Sequence, residues 1–338
     1  MKILVTGGLG YIGSHTAVEL SKNYETLIVD NLINSDISVL DRINKLASSK
    51  VYFEKIDLVD INSVKNLFEK HPDINGIIHF AALKSVKESM ISPTNYYHNN
   101  IVSLCNLISE IKSKNLFVNF IFSSSATVYG QATNLPIIET EKIKKATSPY
   151  GNTKQICEEI LTDFTQSYEN MSCISLRYFN PIGAHISSEI GELPIGVPQN
   201  LIPYITQSVA GIRDELTVFG DDYDTPDGSC IRDYIYVVDL ANAHIKALNF
   251  LFKNKQVKNE FFNIGTGNGT SVLQIIKSFE DVTGEKVNYK IGARRKGDIR
   301  AAYADNKKAK DALDWEPKFS LNDALLSAWN WEKKIRNI

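Results

Sequence analysis

Several features that would point to other functions are missing from this 338-residue chain. Its four cysteines, Cys105, Cys157, Cys173 and Cys230, are dispersed and form no C-x-x-C pair, so neither a zinc site nor a disulfide framework is indicated and they read as small reduced core residues. The six histidines show no ligand spacing, so no metal is expected, and His79 at a strand end reads as a satisfied core residue. Neither sign of charge is in excess: the formal net charge of −2 gives no whole-chain attraction for nucleic acid or an anionic membrane. No uninterrupted apolar stretch approaches the roughly 20 residues of a membrane span. Only Met1 and Lys2 precede the first apolar run, which glycines interrupt from Gly7, so no secretory leader is expected. Internal repeats, low-complexity tracts and long charge runs are also lacking. The expectation is a cytoplasmic protein without nucleic-acid or membrane partners.

What is present is ordinary globular composition, 43% hydrophobic and 22% charged, over a length that suits two lobes with a cleft between them. Short apolar runs alternate with helical periodicity through the first half. Candidate strands are Ile3–Thr6, Thr26–Asp30, Val51–Lys55, Gly76–Phe80, Phe117–Ser123 and Cys173–Arg177. This alternation predicts an α/β fold, a doubly wound parallel sheet of Rossmann type built over residues 1–180. After Asn180 the chain becomes rich in loops, with Pro181, Gly183, Gly191, Pro194, Gly196, Pro198 and Pro203, which suits a smaller C-terminal α/β lobe over 181–338. Tyr234–Val238 and Phe261–Ile264 read as further strands flanking a helix over Asp239–Phe250, and segments near 230–265 can return to the first sheet. Trp329-Asn330-Trp331 on an amphipathic helix reads as packing.

The first strand runs into Gly7-Gly8-Leu9-Gly10-Tyr11-Ile12-Gly13 and then into a helix. Side chains at the glycines would block a pyrophosphate from the backbone N–H groups and from the positive helix end, so Gly7, Gly10, Tyr11, Ile12 and Gly13 are expected to cradle a dinucleotide. Asp30 closes the next strand. Its carboxylate suits the adenosine ribose hydroxyls and would repel a 2′-phosphate, which favours NAD over NADP. Asn31, Asn34 and Ser35 can add polar contacts, and Asp57-Leu58 after the third strand falls where the adenine edge should lie.

The chemistry is concentrated in Ser123-Ser124-Ser125-Ala126-Thr127 at a strand end and in Tyr150-Gly151-Asn152-Thr153-Lys154. Helical spacing puts Tyr150 and Lys154 on one face. A cation beside a phenol favours the phenolate, so Tyr150 is expected to titrate below its usual value of about 10, with oxidised nicotinamide adding a second positive charge. A phenolate that takes the proton from a substrate hydroxyl lets the hydrogen on the same carbon leave as hydride, while Ser125 or Thr127 hydrogen-bonds the same oxygen.

With these motifs in place, the chain closely resembles UDP-glucose 4-epimerases, which belong to the extended short-chain dehydrogenase/reductase family. The resemblance spans nearly the whole chain, through LVTGGLGYIGSHT at Leu4–Thr16, IIHFAALKSV at Ile77–Val86, IFSSSATVYG at Ile121–Gly130 and SPYGNTK at Ser148–Lys154. It continues through LRYFNPIGAH at Leu176–His185, PQNLIPYI at Pro198–Ile205, FGDDYDTPDGSCIRDYI at Phe219–Ile235 and ARRKGD at Ala293–Asp298. It implies Tyr150 as the base, Lys154 as its electrostatic partner and Ser125 as the helping hydroxyl. Phe80, Ala81, Ala82, Lys84, Asn99 and Phe179 are implied around the nicotinamide. For the nucleotide sugar it implies Lys84, Ser125, Thr127, Tyr150, Asn180, Asn200, Leu201, Thr217, Val218, Phe219, Arg232, Arg295 and Asp298. The two arginines agree with a physical need, since a diphosphate requires local positive charge that the net charge does not supply. In this family the hydride is removed from C4, the 4-keto sugar turns within the site, and the hydride returns to the other face. Relatives are commonly homodimers built through helices like Pro93–Ile111 and Tyr150–Tyr168, although apolar positions there also suit a core.

Ala302 occupies the position that borders the sugar in this family, where glucose-restricted bacterial members carry tyrosine and members that accept N-acetylhexosamines carry a small residue. UDP-N-acetylglucosamine and UDP-N-acetylgalactosamine are therefore expected substrates besides the two UDP-hexoses; an offset of one residue would land on Tyr303 and reverse the inference. Two other readings stay open. A nucleotide-sugar 4,6-dehydratase starts with the same oxidation but places adjacent carboxylates after the strand-end threonine, where this chain has Val128-Tyr129. A non-catalytic NAD-binding regulatory protein could share the fold.

Overall fold

The structure, a computed structural model, describes residues 1–295 and 298–338. The first half alternates β1 (Lys2–Thr6), α1 (Tyr11–Leu20), β2 (Glu25–Asp30), α2 (Ser38–Leu46), β3 (Val51–Lys55), α3 (Ile61–Lys70) and β4 (Ile74–His79). It continues through α4 (Val86–Ile91), α5 (Pro93–Ser113), β5 (Val118–Ser125), α6 (Pro149–Ser167) and β6 (Met171–Tyr178). The second half carries β7 (Asn180–Ile182), α7 (Leu201–Val209), β8 (Leu216–Phe219), β9 (Ile231–Arg232), β10 (Tyr234–Tyr236), α8 (Val237–Lys253) and β11 (Asn259–Ile264). It ends with β12 (Thr270–Ser271), α9 (Val272–Thr283), β13 (Tyr289–Gly292), β14 (Ala301–Ala302), α10 (Lys307–Leu313) and α11 (Leu321–Arg336).

Among the described residues the main sheet has seven strands in the order β11-β6-β5-β4-β1-β2-β3, every pair parallel. Strand alternation explains why its apolar runs look continuous in sequence. Ile3, Val5, Ile28, Ile78, Ile121 and Ile174 face a core shared with α1, α2 and α8, whereas Leu4, Leu27, Val29, Ile77, Phe120 and Phe122 face one shared with α3, α5 and α6. The strand order reverses between β1 and β4. Loops leaving their C-terminal ends therefore diverge and open a crevice, where a doubly wound sheet binds its ligand.

Phe261–Ile264 does join this sheet as part of β11, paired with β6. Tyr234–Val238 does not: Tyr234–Tyr236 pairs with Asn180–Ile182 in a separate two-stranded sheet, and Val237 begins α8. The physical reason is positional, since Asn180 follows directly on β6 and captures the returning chain above the end of the main sheet, its N–H donating to Asp233 O (3.0 Å). The smaller lobe has its own core, with Ile182, Ile205, Val218, Tyr234, Ile275, Phe279, Leu325 and Trp329 packed together. Trp331 is buried as well and donates from Nε1 to Glu192 O (2.9 Å), which anchors the C-terminal helix to the loop bordering the crevice. No helix is long and apolar enough to cross a membrane among the described residues.

Candidate active site

The dinucleotide loop occupies the crevice at the strand-order reversal. Gly7 has φ +65°, and a Cβ on it would lie 2.7 Å from Ala81 N; a Cβ on Gly13 would lie 2.4 Å from Gly7 O. Both positions need glycine because helix and strand end approach so closely. Gly10 caps α1 without a side chain, and the first intrahelical bond runs from Ser14 N–H to Gly10 O (2.9 Å). The N–H groups of Tyr11, Ile12 and Gly13 thus stand before that bond at the positive helix end, as a pyrophosphate requires. Asp30 is buried at the end of β2 and accepts from Leu9 N–H (3.2 Å), Leu32 N–H (2.9 Å) and Ser35 Oγ (2.8 Å), so Ser35 braces the carboxylate. Asn31 turns its Oδ1 to Ile33 N–H (3.1 Å), and Asn34 is exposed. Asp57 is exposed beyond β3, whereas the Leu58 side chain lies in the core, leaving only its backbone for an adenine. The cradle fits a dinucleotide.

The other side of the crevice is the loop after β4. Phe80 N–H donates to Thr6 O (3.0 Å), Ala81 N–H to Thr6 Oγ1 (3.3 Å), and Thr6 Oγ1 bonds His79 Nδ1 (2.7 Å). His79 is a satisfied core residue whose burial lowers it to about 3. The Phe80 ring lies against His244, 4.7 Å between centroids. Leading to Lys84, the loop is clamped by Asn100, whose Oδ1 accepts from Leu83 N–H (2.8 Å) and whose Nδ2 donates to Leu83 O and Thr153 Oγ1 (both 3.0 Å). Asn99 donates to Asn100 Oδ1 (3.0 Å).

Above this floor, Ser148 caps α6 by accepting from Gly151 N–H (3.1 Å), which starts the helix at Pro149 and brings Tyr150 to the end of β5. Lys154 lies one turn on, its Nζ 5.9 Å from the Tyr150 ring centroid and donating to Ser123 O (2.6 Å). The titration of Tyr150 differs from the sequence expectation. Burial of the phenol dominates and pushes it up to about 12, with the Ser125 hydroxyl pulling the other way. The expected help from Lys154 is not what sets the phenol in the protein by itself, because the ammonium is directed to the Ser123 carbonyl and is itself lowered by burial to about 8. Thr127 Oγ1 is buried without a hydrogen-bond partner in the protein, an acceptor and donor left for something else.

The remaining residues fall into two groups. Phe219 at the end of β8 lies under the Arg295 guanidinium, 4.0 Å from its ring centroid, and Thr217 and Val218 precede it opposite Lys290 and Ile291 of β13. Arg232 forms an ion pair with Asp298, and its neighbour Asp233 connects through its carbonyl to Asn180 N–H. Phe179 and Ala302 are buried together with Val128 and Tyr129 beside the strand end that carries Ser125. In the second group, Asn200 caps α7 and donates from Nδ2 to Glu192 Oε1 (2.7 Å), which also pairs with Lys84 Nζ (3.3 Å). Leu201 begins that helix without a side-chain cap.

Three residues here escape a reading of motifs. Glu192 lies in the loop before Asn200 and joins Lys84, in the loop after β4, to Asn200 at the start of α7; Asn100 follows Asn99 directly. Asp233, next to Arg232, is fully buried and accepts from Thr266 N–H (2.8 Å), Gly267 N–H (3.1 Å) and Ala304 N–H (3.1 Å). A buried-carboxylate requirement for several donors is invisible in sequence, although adjacency to Arg232 was a signal.

A family model described as GDP-mannose 4,6 dehydratase matches residues 4–327. The UDP-glucose 4-epimerase of Yersinia enterocolitica is 46% identical over 338 residues, covering 100% of this chain and 99% of that protein. The Bifunctional protein GAL10 of Pachysolen tannophilus is 46% identical over 338 residues, 98% of this chain but 49% of that protein, so the chain spans about half of that relative's length. Among solved structures, the UDP-glucose-4-epimerase from Stenotrophomonas maltophila with bound NAD and formylated UDP-arabinopyranose has a TM-score of 0.95 and 43% identity, with 100% of this chain and 99% of that one covered.

Proposed function

The chain belongs to the UDP-glucose 4-epimerases of the extended short-chain dehydrogenase/reductase family, and from that premise we propose that it interconverts UDP-glucose and UDP-galactose by inverting C4. The observation that carries the reading is the placement of Tyr150 and Lys154 on one turn of α6 against the Ser123–Ser125 strand end, over the dinucleotide crevice. When bound, NAD supplies the acceptor and donor for the C4 hydride and a positive charge beside the phenol. Tyr150 takes the proton of the C4 hydroxyl and later returns it, and the Ser125 hydroxyl holds the same oxygen. With a phenol near 12, Tyr150 needs that charge together with Lys154 before it can act as a base near neutral pH.

Binding must be uneven. Phe219, Arg295, Arg232 and Asp298 are assigned to the uridine diphosphate, with Asn180, Asn200 and the Leu201 helix end around it, so that the 4-keto sugar turns while the nucleotide stays held. Lys84 and Thr127 are assigned to the sugar side. A 4,6-dehydratase, which the family model's description names, needs a further acid and base to expel water. Val128 and Tyr129 fill those positions, both fully buried, and the Tyr129 hydroxyl is committed to Asn263 Oδ1 (2.6 Å).

We further propose that UDP-N-acetylhexosamines are accepted. In support, Ala302 packs with Val128 and Phe179, and the Tyr303 ring instead lies against Gly269, where an added Cβ would come 2.9 Å from Tyr303 Cδ1. The same reading proposes a cytoplasmic homodimer through α5 and α6, which pack side by side; four free cysteines agree with a reducing compartment. Light scattering in solution tests the mass. The deciding experiment incubates the protein with each of four UDP-sugars and follows the approach to C4-epimer equilibrium. Absence of turnover on UDP-galactose would refute the main reading, and absence on UDP-N-acetylgalactosamine alone would refute only the extension.

A further inference from the structure

The face of α6 that carries Tyr150 and Lys154 continues one turn on to Glu158, which is 4% exposed. Its Oε1 accepts from Ser124 Oγ (2.6 Å) and Arg177 Nε (2.9 Å), and its Oε2 from Arg177 Nη2 (2.7 Å). Arg177, on β6, is as deeply buried and donates from Nη1 to the Tyr129 hydroxyl (3.1 Å) and Glu139 O (3.3 Å), with its guanidinium 4.5 Å from the Phe261 ring centroid. The strand end Ser123-Ser124-Ser125 is thus tied to α6 twice, at the Ser123 carbonyl by Lys154 and at the Ser124 hydroxyl by Glu158. Replacing a buried ion pair by apolar residues of like volume is often neutral or stabilising, so stability alone does not account for these two charges.

The other groups around Lys154 cannot do what Glu158 does. From α6 it faces Tyr150 and Cys157, with Cys105 of α5 behind the thiol; from β4, His79; from β5, Phe122 and the Ser123 carbonyl; Tyr178 of β6 acts on Tyr150 and pairs its hydroxyl with Ser123. Burial keeps His79 and Tyr178 neutral near pH 7, as it does Tyr150 and Cys157, both pushed up to about 12, and it also raises Cys105. With the Cys157 thiol kept neutral by burial, the carboxylate of Glu158, one helical turn along α6, is the charge that favours the Lys154 ammonium, acting through space.

We propose that Glu158 is a positioning residue for the epimerisation assigned above, an assignment on which this inference rests: held by Arg177, its carboxylate keeps the Lys154 ammonium charged and fixes the Ser123–Ser125 strand end against α6. Arg177 reaches the same carboxylate from the neighbouring strand and moderates its field.

The test is a pH titration of the NAD-loaded enzyme labelled with carbon-13 at the lysine ε position, the Lys154 resonance being assigned by its loss in Lys154→Arg. Glu158→Gln lowers the Lys154 midpoint by roughly one pH unit and Arg177→Met raises it. In Glu158→Gln, kcat on UDP-galactose falls while KM stays within about twofold, as expected when only transition-state stabilisation is lost. Glu158→Gln leaves a buried guanidinium bare; if it does not fold, Glu158→Gln combined with Arg177→Met removes that charge, and its midpoint also falls below that of the unaltered enzyme. A Lys154 midpoint unchanged in the folded single or double variant overturns the inference. If Tyr150→Phe retains full turnover, the epimerase assignment fails instead, and the titration still decides what Glu158 does to Lys154.

Discussion

Ala302 and Arg232 are register partners, set side by side where β14 runs parallel to β9. Arg232 is paired with Asp298, and Asp233 beyond it takes the Ala304 N–H (3.1 Å), so Arg232 and the residue at 302 are fixed by the same two strands. A larger side chain at 302 cannot be relieved by sliding one strand without disturbing Arg232. Ala302→Tyr is therefore expected to lower kcat/KM for UDP-N-acetylgalactosamine at least about tenfold while changing that for UDP-galactose less than about threefold. Steady-state rates on the two substrates decide it; equal losses would show that the side chain at 302 does not discriminate between them.

For Tyr150 the expectation concerns chemistry alone. Tyr150→Phe keeps the ring in its place and removes the hydroxyl, so kcat should fall about 10²–10⁴-fold. UDP affinity, measured by calorimetry, should hold, because the groups assigned to UDP lie around Phe219 and Arg232. Weakened UDP binding would place Tyr150 in recognition.

The main sheet was legible because its strands are apolar on both faces and its crossovers are helical; only boundaries moved, as when Phe117–Ser123 became Val118–Ser125. Tyr234–Val238 was misplaced because a short strand carries no mark of which sheet it joins, and Asn180–Ile182, its partner, is too brief to stand out. The glycine loop and the Tyr150–Lys154 pair could be read from spacing, since helix and turn geometry are local. The titration of Tyr150 could not. Spacing shows that a lysine is near, but it does not show that the lysine's proton is directed to Ser123 O or that burial outweighs it. Glu192, Asn100 and Glu158 were missed for a related reason: their partners Lys84, Leu83 and Arg177 lie far along the chain or on another element.

Arg232 stands in an ion pair with Asp298, each side chain partly exposed. A diphosphate meeting this guanidinium gains charge-assisted hydrogen bonds of about 1.5–3 kcal/mol. Arg232→Met should weaken UDP binding roughly 10- to 150-fold by calorimetry and flatten its salt dependence. An unchanged UDP affinity would remove Arg232 from the nucleotide site.

The glycine loop predicts a graded series. A Cβ at position 13 would lie 2.4 Å from Gly7 O and 2.8 Å from Gly8 Cα, both backbone, whereas one at position 10 would lie 3.1 Å from Gly7 O. Gly13→Ala must displace the start of α1 from the strand end and should abolish NAD retention, read as nucleotide released from the denatured protein. Gly10→Ala should retain part of it. Full NAD content in Gly13→Ala would mean that the cradle does not lie in this loop.

Acid stability follows from three buried histidines. The Nδ1 of His15 meets Tyr11 O (2.7 Å) and that of His244 meets Leu240 O (2.8 Å); carbonyls only accept, so both rings donate from Nδ1 and leave Nε2 bare and buried. Burial lowers His15 and His79 to about 3 and His244 to about 4, from 6.5. Between those values and 6.5 the unfolded chain binds protons that the folded one refuses, so stability is intact above pH 6.5 and is lost as pH falls toward 4. Glu139 and Asp239, whose carboxyls burial raises, work in the opposite direction at the acid end of that range. The loss should therefore be clearest between about pH 6 and 5, where three histidines together take up to about 4 kcal/mol per pH unit. Urea unfolding at pH 7, 6 and 5 measures it, and His244→Phe, which removes one titrating ring, should reduce the slope by about a third. A free energy of unfolding that is flat from pH 7 to 5 would mean that these rings are charged in the folded protein.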